Sequence, residues 1–306
     1  MGSVVASGRL KTRIFVIAGI TALLSTGSAL ATDYHSPRTA ALGGSGRAGP
    51  LLNDAIYLNP SYASFMPTNS VGASYQWFNG DVMNLPQGPI EQHSRLYNIS
   101  IQDGRNPTFQ AGGGYSVLGD GAMLNLGAAK SFVQRWGAGL GLKFFFPNNP
   151  DVASVREGIV SSTLIAGGWI QLAAIMDNAF QTQPAQARKM YREFALAAKV
   201  NISGIAIIYL DPHYTPDLPL GPAGEDRRYG HELGLELTIM NDLFLRGGVF
   251  KNAYIPFQGD RAGGFGLGAG WVTPRMSLDY GMTRVVHPTP PLTAATAHSI
   301  GMTLYF

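Results

Sequence analysis

The chain has 306 residues and no cysteine, and its 22 Lys and Arg against 19 Asp and Glu give a formal charge of +3 at pH 7. Without Cys there is no lipid-modified cysteine anchor, disulfide or thiolate metal site. Charged residues are only 13% of the chain, about half the share of a soluble domain, which suits an outer surface that faces lipid rather than water.

At the N-terminus Arg9, Lys11 and Arg13 precede an apolar run over 14–24, and Ala29-Leu30-Ala31 supplies a small-x-small cleavage pattern. The run is well short of the roughly 20 residues a spanning helix needs. These features predict a cleaved signal peptide over 1–31 and export of the remainder. The three basic residues account for the positive charge, because the rest of the chain then carries 19 of each sign. The basic pI therefore gives no reason to expect a nucleic-acid partner.

Beyond the signal no apolar run reaches 18 residues, so no helical span is expected. Period-2 alternation recurs instead. Val71, Ala73, Tyr75 and Trp77 alternate with Ser70, Gly72, Ser74 and Gln76. Tyr97, Ile99 and Ile101 follow the same pattern, then Phe109 to Val117, then Leu233, Leu235, Leu237 and Ile239 against Glu232, Gly234, Glu236 and Thr238. Phe265, Leu267, Ala269 and Trp271 alternate with glycines, and Met276 to Met282 repeats the pattern. A soluble sandwich would also alternate. Segments of about 9–11 residues, aromatics near segment ends (Tyr75, Trp77, Trp136, Trp169, Trp271) and a polar face rich in Gly, Ser, Asn and Gln favour a membrane barrel.

The reading is an all-β, transmembrane, antiparallel up-and-down barrel of about 12–14 strands over 69–306. Leu118 to Gly121, Gln134-Arg135 and Met240 to Asp242 read as short turns on one side. Residues 80–92, 211–228 and 287–297 read as long loops on the other. Residues 171–198 are ambiguous between a helical excursion after Pro184 and a further strand through Phe194, Leu196 and Ala198; the strand is favoured for the second half. The chain ends with Ile300, Met302, Leu304 and Phe306 on one face, resembling the C-terminal signal read by barrel-assembly machinery.

Residues 36–65 are the least barrel-like. They carry Ala41-Leu42-Gly43-Gly44, Asn53-Asp54-Ala55 and Asn59-Pro60 ahead of the first strand. This order resembles the N-terminal pattern of the long-chain fatty acid transporter (OmpP1/FadL/TodX) superfamily and its PorV-like relatives. The stretches from Gly127 to Lys143 and from Leu243 to Tyr280 resemble the group's central hairpin and last strands. The resemblance implies a fourteen-stranded monomeric barrel with an N-terminal hatch, here over 32–68, folded into the lumen. Independently of the family, a lumen that wide needs filling, and Gly-, Ala- and Ser-rich chain packs and bends easily. Arg38, Arg47, Asn53, Asp54 and Asn59 are the residues expected to bond to a polar inner wall.

No motif for chemistry accompanies this. The six histidines lack metal spacing and read as solvated, no nucleophile elbow surrounds a serine, and the acids within 211–226 read as a hydrated loop rather than a Ca²⁺ site. No catalytic residue, metal or cofactor is expected. The functional expectation is an outer-membrane channel for passive uptake of small hydrophobic compounds such as long-chain fatty acids. Gating would fall to Asn53, Asp54, Asn59 and Pro60, with Gly43 and Gly44 supplying flexibility. A PorV-like partner role toward secreted proteins is the alternative. A polar porin is disfavoured by the weak charge of the inner faces.

Overall fold

The computed structural model describes residues 34–51, 53–85, 88–106, 108–221, 224–255, 260–287 and 295–306. The predicted signal peptide lies outside them. Fourteen strands close into one antiparallel barrel, each bonded to its neighbours in sequence and β1 to β14. They are β1 (Ser70–Leu85), β2 (Gly88–Asp103), β3 (Gln110–Leu118), β4 (Gly121–Val133), β5 (Trp136–Pro147), β6 (Val155–Ile165) and β7 (Ile170–Asp177). The second half comprises β8 (Glu193–Ile202), β9 (Ala206–Tyr214), β10 (Tyr229–Thr238), β11 (Leu243–Ile255), β12 (Asp260–Val272), β13 (Met276–His287) and β14 (Ala295–Tyr305).

The wall is inside out relative to a water-soluble barrel. On β10, Leu233 and Leu235 are 42% and 41% exposed while the flanking Glu232 and Glu236 are 2% and 4% exposed. Ile300, Met302, Leu304 and Phe306 likewise face outward on β14, and Ser299 faces inward. Leucine outside and glutamate inside is stable only where the outside is hydrocarbon and the inside holds partners for the charge. This is a transmembrane barrel.

Both chain ends of the wall, Ser70 and Tyr305, pair at one rim, here the terminal end; the opposite rim is the loop end. Connections at the terminal end are short: 134–135, 166–169, 203–205, 239–242 and 273–275. Trp136, Trp169 and Trp271 stand outward there as an interfacial girdle. Three expectations need correction. The turn after Leu118 is short but lies at the loop end, because β3 and β4 are followed by hairpins at opposite rims. Residues 80–85 and 88–92 are strand rather than loop: β1 and β2 continue pairing to Leu85 and Gly88 across a register shift after Gly80, which leaves Tyr75 and Trp77 in mid-strand. Strand that projects past the hydrocarbon needs no greasy outer face, so its alternation fades. Residues 211–214 are likewise strand, with Tyr214 opposite Tyr229.

The ambiguous middle contains both elements proposed for it. A short helix, Gln183–Ala187, sits between β7 and β8. The second half is strand as favoured, with Ala195 and Ala197 buried and Phe194 and Leu196 outward.

Candidate functional site in the barrel lumen

Before β1 the chain forms helix α1 (Pro37–Ala41), helix α2 (Asp54–Leu58) and a 3-10 helix (Pro60–Phe65). Ser36 caps α1, its hydroxyl accepting from Thr39 N at 3.1 Å, with Pro37 in the first turn. None of these helices is long enough to persist alone. The barrel wall holds them, with bonds to β2, β6, β9, β10 and β13 all round the circumference.

The bonds are specific. Asn53 Nδ2 donates to Ser100 Oγ at 2.8 Å, and its carbonyl oxygen accepts from the Ser70 hydroxyl. Asn59 Nδ2 donates to Thr163 Oγ1 and to Arg47 O, both at 2.8 Å, and Asn59 Oδ1 accepts from Ser61 at 2.6 Å. Pro60 opens the 3-10 helix beside Gly139 and Gly141 of β5; a Cβ on Gly139 would collide with the Pro60–Ser61 backbone. Gly43 and Gly44 have φ of 65° and 93°. A Cβ on Gly43 would lie 3.0 Å from the Gly248 backbone, so the position combines a left-handed turn with close approach to the wall. Asp54 does not reach the wall: it accepts from the Ser36 hydroxyl at 2.8 Å and ties α2 to α1. Burial pushes its carboxyl up to about 6, opposed by Arg38 and by the Ser36 bond.

Two arginines make the strongest attachments. Arg38 donates from Nε to Glu236 Oε2 at 3.2 Å and from Nη2 to the Tyr209 hydroxyl at 2.5 Å; Arg246 approaches the same Glu236 oxygen at 2.6 Å. Arg47 lies 3.0 Å from Glu232, 3.2 Å from Glu193 and 3.7 Å from Asp211. Asp211 also accepts from Gly46 N at 2.8 Å and Arg47 N at 2.9 Å. Arg261 completes Glu193 at 2.5 Å, and His213 Nδ1 meets Glu232 at 3.0 Å.

These contacts overturn three expectations. The inner wall is not weakly charged: Glu193, Asp211, Glu232, Glu236, Arg246 and Arg261 are all buried in it. Asp211 is not part of a hydrated loop, and His213 is buried rather than solvated, its Nε2 3.1 Å from Asn252 O. The signal for the acids was their position on the polar face of strands, opposite a segment that brings two arginines with no acid beside them in sequence.

The loop-end half of the lumen carries two apolar clusters, Phe78, Phe250, Ile255 and Val285 in one and Leu96, Leu118, Met123 and Phe145 in the other. Buried charges lie beside them at the same level, with Glu232 opposite Phe250 and Arg261 opposite Tyr254. A cavity of about 50 Å³ sits at the junction, lined by Tyr34, Tyr57, Leu58, Ile175, Met190 and Tyr254 together with the Arg47–Glu193 pair. A second of similar volume lies between Asn53, Asp54 and the β1–β14 wall. Each is water-sized in volume, whereas a benzene-sized guest needs a cavity on the order of 150 Å³.

Solved structures place this architecture. A FadL homologue from Pseudomonas aeruginosa is 10% identical at a TM-score of 0.65, over 90% of this chain and 99% of that one. The toluene transporter TodX of Pseudomonas putida is 12% identical at 0.63, over 92% and 99%. The chain has the FadL-type barrel fold. The toluene transporter TbuX of Ralstonia pickettii aligns similarly, at 10% identity and a TM-score of 0.60 over 90% and 99%. No protein-family model and no curated protein sequence matches the chain.

Proposed function

We propose that this FadL-type barrel is a passive outer-membrane channel for small hydrophobic compounds, with residues 34–65 as its hatch. The observation that carries the reading is the pair of apolar clusters in the loop-end half of the lumen, set beside a segment locked to the wall through Arg38 and Arg47. An apolar solute crosses the polar outer leaflet poorly. It would partition into the loop-end clusters, rest against Tyr34, Tyr57 and Tyr254, and pass inward when the hatch shifts. Short turns at the terminal end fit a periplasmic rim, and the outward face of Ile300 to Phe306 fits recognition by barrel-assembly machinery during insertion. Diffusion with a binding step needs neither nucleotide nor cofactor.

The finer question is ligand size. Relatives of the same fold are described as toluene transporters and as a FadL homologue, so a monoaromatic hydrocarbon and a long-chain fatty acid are both candidates. Saturable binding of toluene and of a fluorescent long-chain fatty acid to the purified barrel, measured side by side, tests the reading. Binding of either that weakens in Tyr57→Ala supports it and selects the ligand class. A correctly folded barrel that binds neither refutes it. That outcome would favour the second reading, a scaffold for secreted proteins, for which the small volume of the lumen cavities already speaks.

A further inference from the structure

Residues 178–192 connect β7 to β8 at the loop end, and they fold into the barrel mouth instead of standing away from it. Glu157 of β6 is only 1% exposed. Its carboxylate accepts from the backbone N–H groups of Phe180 at 3.0 Å, Gln181 at 3.2 Å and Thr182 at 2.8 Å, and from the Thr182 hydroxyl at 2.9 Å. A second anchor lies at the other end of the connection. Arg188 Nη2 donates to Asp120 Oδ2 at 2.6 Å, and its guanidinium lies 3.6 Å over the Phe145 ring. Between the anchors Ala185 and Met190 are buried in the apolar cluster that also contains Phe145 and Val155.

The backbone of this connection is held against its own preference. Asn178, Gln181 and Lys189 have φ of 49°, 54° and 61°, three of the five non-glycine residues in the left-handed region among those described. Such conformations persist only where surrounding contacts impose them, and they cluster at clamps and switches. Releasing the anchors would also relieve this strain. Directly beneath lies the junction cavity, whose roof is Asn178, Lys189, Met190 and Tyr191 and whose floor includes Tyr34 and Leu58 of the hatch.

The geometry points to residues 178–192 as a lid over the ligand cavity, latched by Glu157, with Met190 as the side chain that fills the entrance. This deepens the channel reading above and rests on it. A cavity of about 50 Å³ is too small for an aromatic guest. Lifting Met190 joins it to the loop-end apolar cluster and creates the space such a guest requires. Entry and exit are then gated by separate devices: the lid toward the outside and the arginine-locked hatch toward the inside.

The chain has no native cysteine, so Met190→Cys gives a single reporter of lid position. In proteoliposomes with a lipopolysaccharide outer leaflet its labelling by a membrane-impermeant maleimide should be slow in the otherwise native barrel and at least tenfold faster with Glu157→Gln. Initial uptake of naphthalene should rise at least threefold in the same variant. Unchanged labelling would overturn the lid, whatever the transport result. Faster labelling with no naphthalene uptake by any variant would uphold the lid and refute the channel reading instead. Should Glu157→Gln fail to insert, Asp120→Asn frees only the Arg188 anchor at the rim and is read by the same labelling.

Discussion

Arg47→Met is the most informative single change to residues 34–65, the proposed hatch. Arg47 faces Glu232 at 3.0 Å, Glu193 at 3.2 Å and Asp211 at 3.7 Å. After its removal Glu193 keeps Arg261 and Glu232 keeps His213, but Asp211, fully buried, has only two backbone N–H groups and no cation. Removing one partner of a buried ion pair costs about 3–5 kcal/mol, chiefly because a charge is stranded. At about 1.4 kcal/mol per tenfold change, the hatch should detach a hundred- to several-thousand-fold more often. The barrel itself should stay closed, because its ladder of strand bonds does not involve Arg47. Hydrogen–deuterium exchange on the protein in nanodiscs reads both: faster exchange confined to peptides from 34–65, with strand peptides unchanged. Adding Asp211→Asn and Glu232→Gln to Arg47→Met should recover much of the protection, since no uncompensated charge then remains. Unchanged exchange across 34–65 in a folded Arg47→Met barrel would refute the claim that these pairs hold the segment.

Asn59→Ala strands the carbonyl of Arg47 and removes the bonds to Thr163 and Ser61, and should loosen the segment by about 1–3 kcal/mol in the same exchange measurement. Gly43→Ala forces a left-handed backbone on a residue with a Cβ against the Gly248 backbone, and should cost a similar about 1–3 kcal/mol. The Asp54 carboxyl, raised by burial to about 6, binds its proton more tightly in the docked segment than when released. Its contribution is therefore fully present below the ordinary carboxylate pKa and is lost as pH rises through about 6. Once divided by the intrinsic amide rate at each pH, the protection of 34–65 should be greater at pH 5 than at pH 7.5, and Asp54→Asn should reduce that difference. On the outer face Leu235→Lys places a charge in hydrocarbon and should destabilise folding into bilayers by about 2–4 kcal/mol if it sits near mid-membrane; a denaturant titration in lipid would detect it.

The barrel was legible because hydrocarbon imposes a strict rule on every second residue. Leu233, Leu235, Ile300 and Met302 announce the outer face without reference to anything distant. The sequence signal failed where that rule lapses: past the membrane boundary in β1 and β2, and at residues 211–214, where a polar strand reads like a loop. Residues 171–198 were ambiguous because they hold most of β7, a short helix and the start of β8 in succession, with the turn before the helix fixed by Glu157 of another strand. Within the lumen Asn53 and Asn59 were recognisable as wall-bonding residues because a polar side chain entering a barrel must find a partner there. The partners were not recognisable. Nothing local distinguishes Glu232 or Asp211 from a solvated acid; only closure of the sheet brings β8, β9 and β10 around Arg47.

The most direct test of the central claim is to lock the hatch to the wall and ask whether the channel stops. Ser61 Oγ and Thr163 Oγ1 lie 2.7 Å apart, so Ser61→Cys with Thr163→Cys in this cysteine-free chain sets up a reducible crosslink between the segment and β6. Naphthalene uptake into proteoliposomes with a lipopolysaccharide outer leaflet should fall to the protein-free rate when the pair is oxidised and return on reduction. Equal uptake by the oxidised and reduced forms would contradict a hatch that must move for the solute to pass.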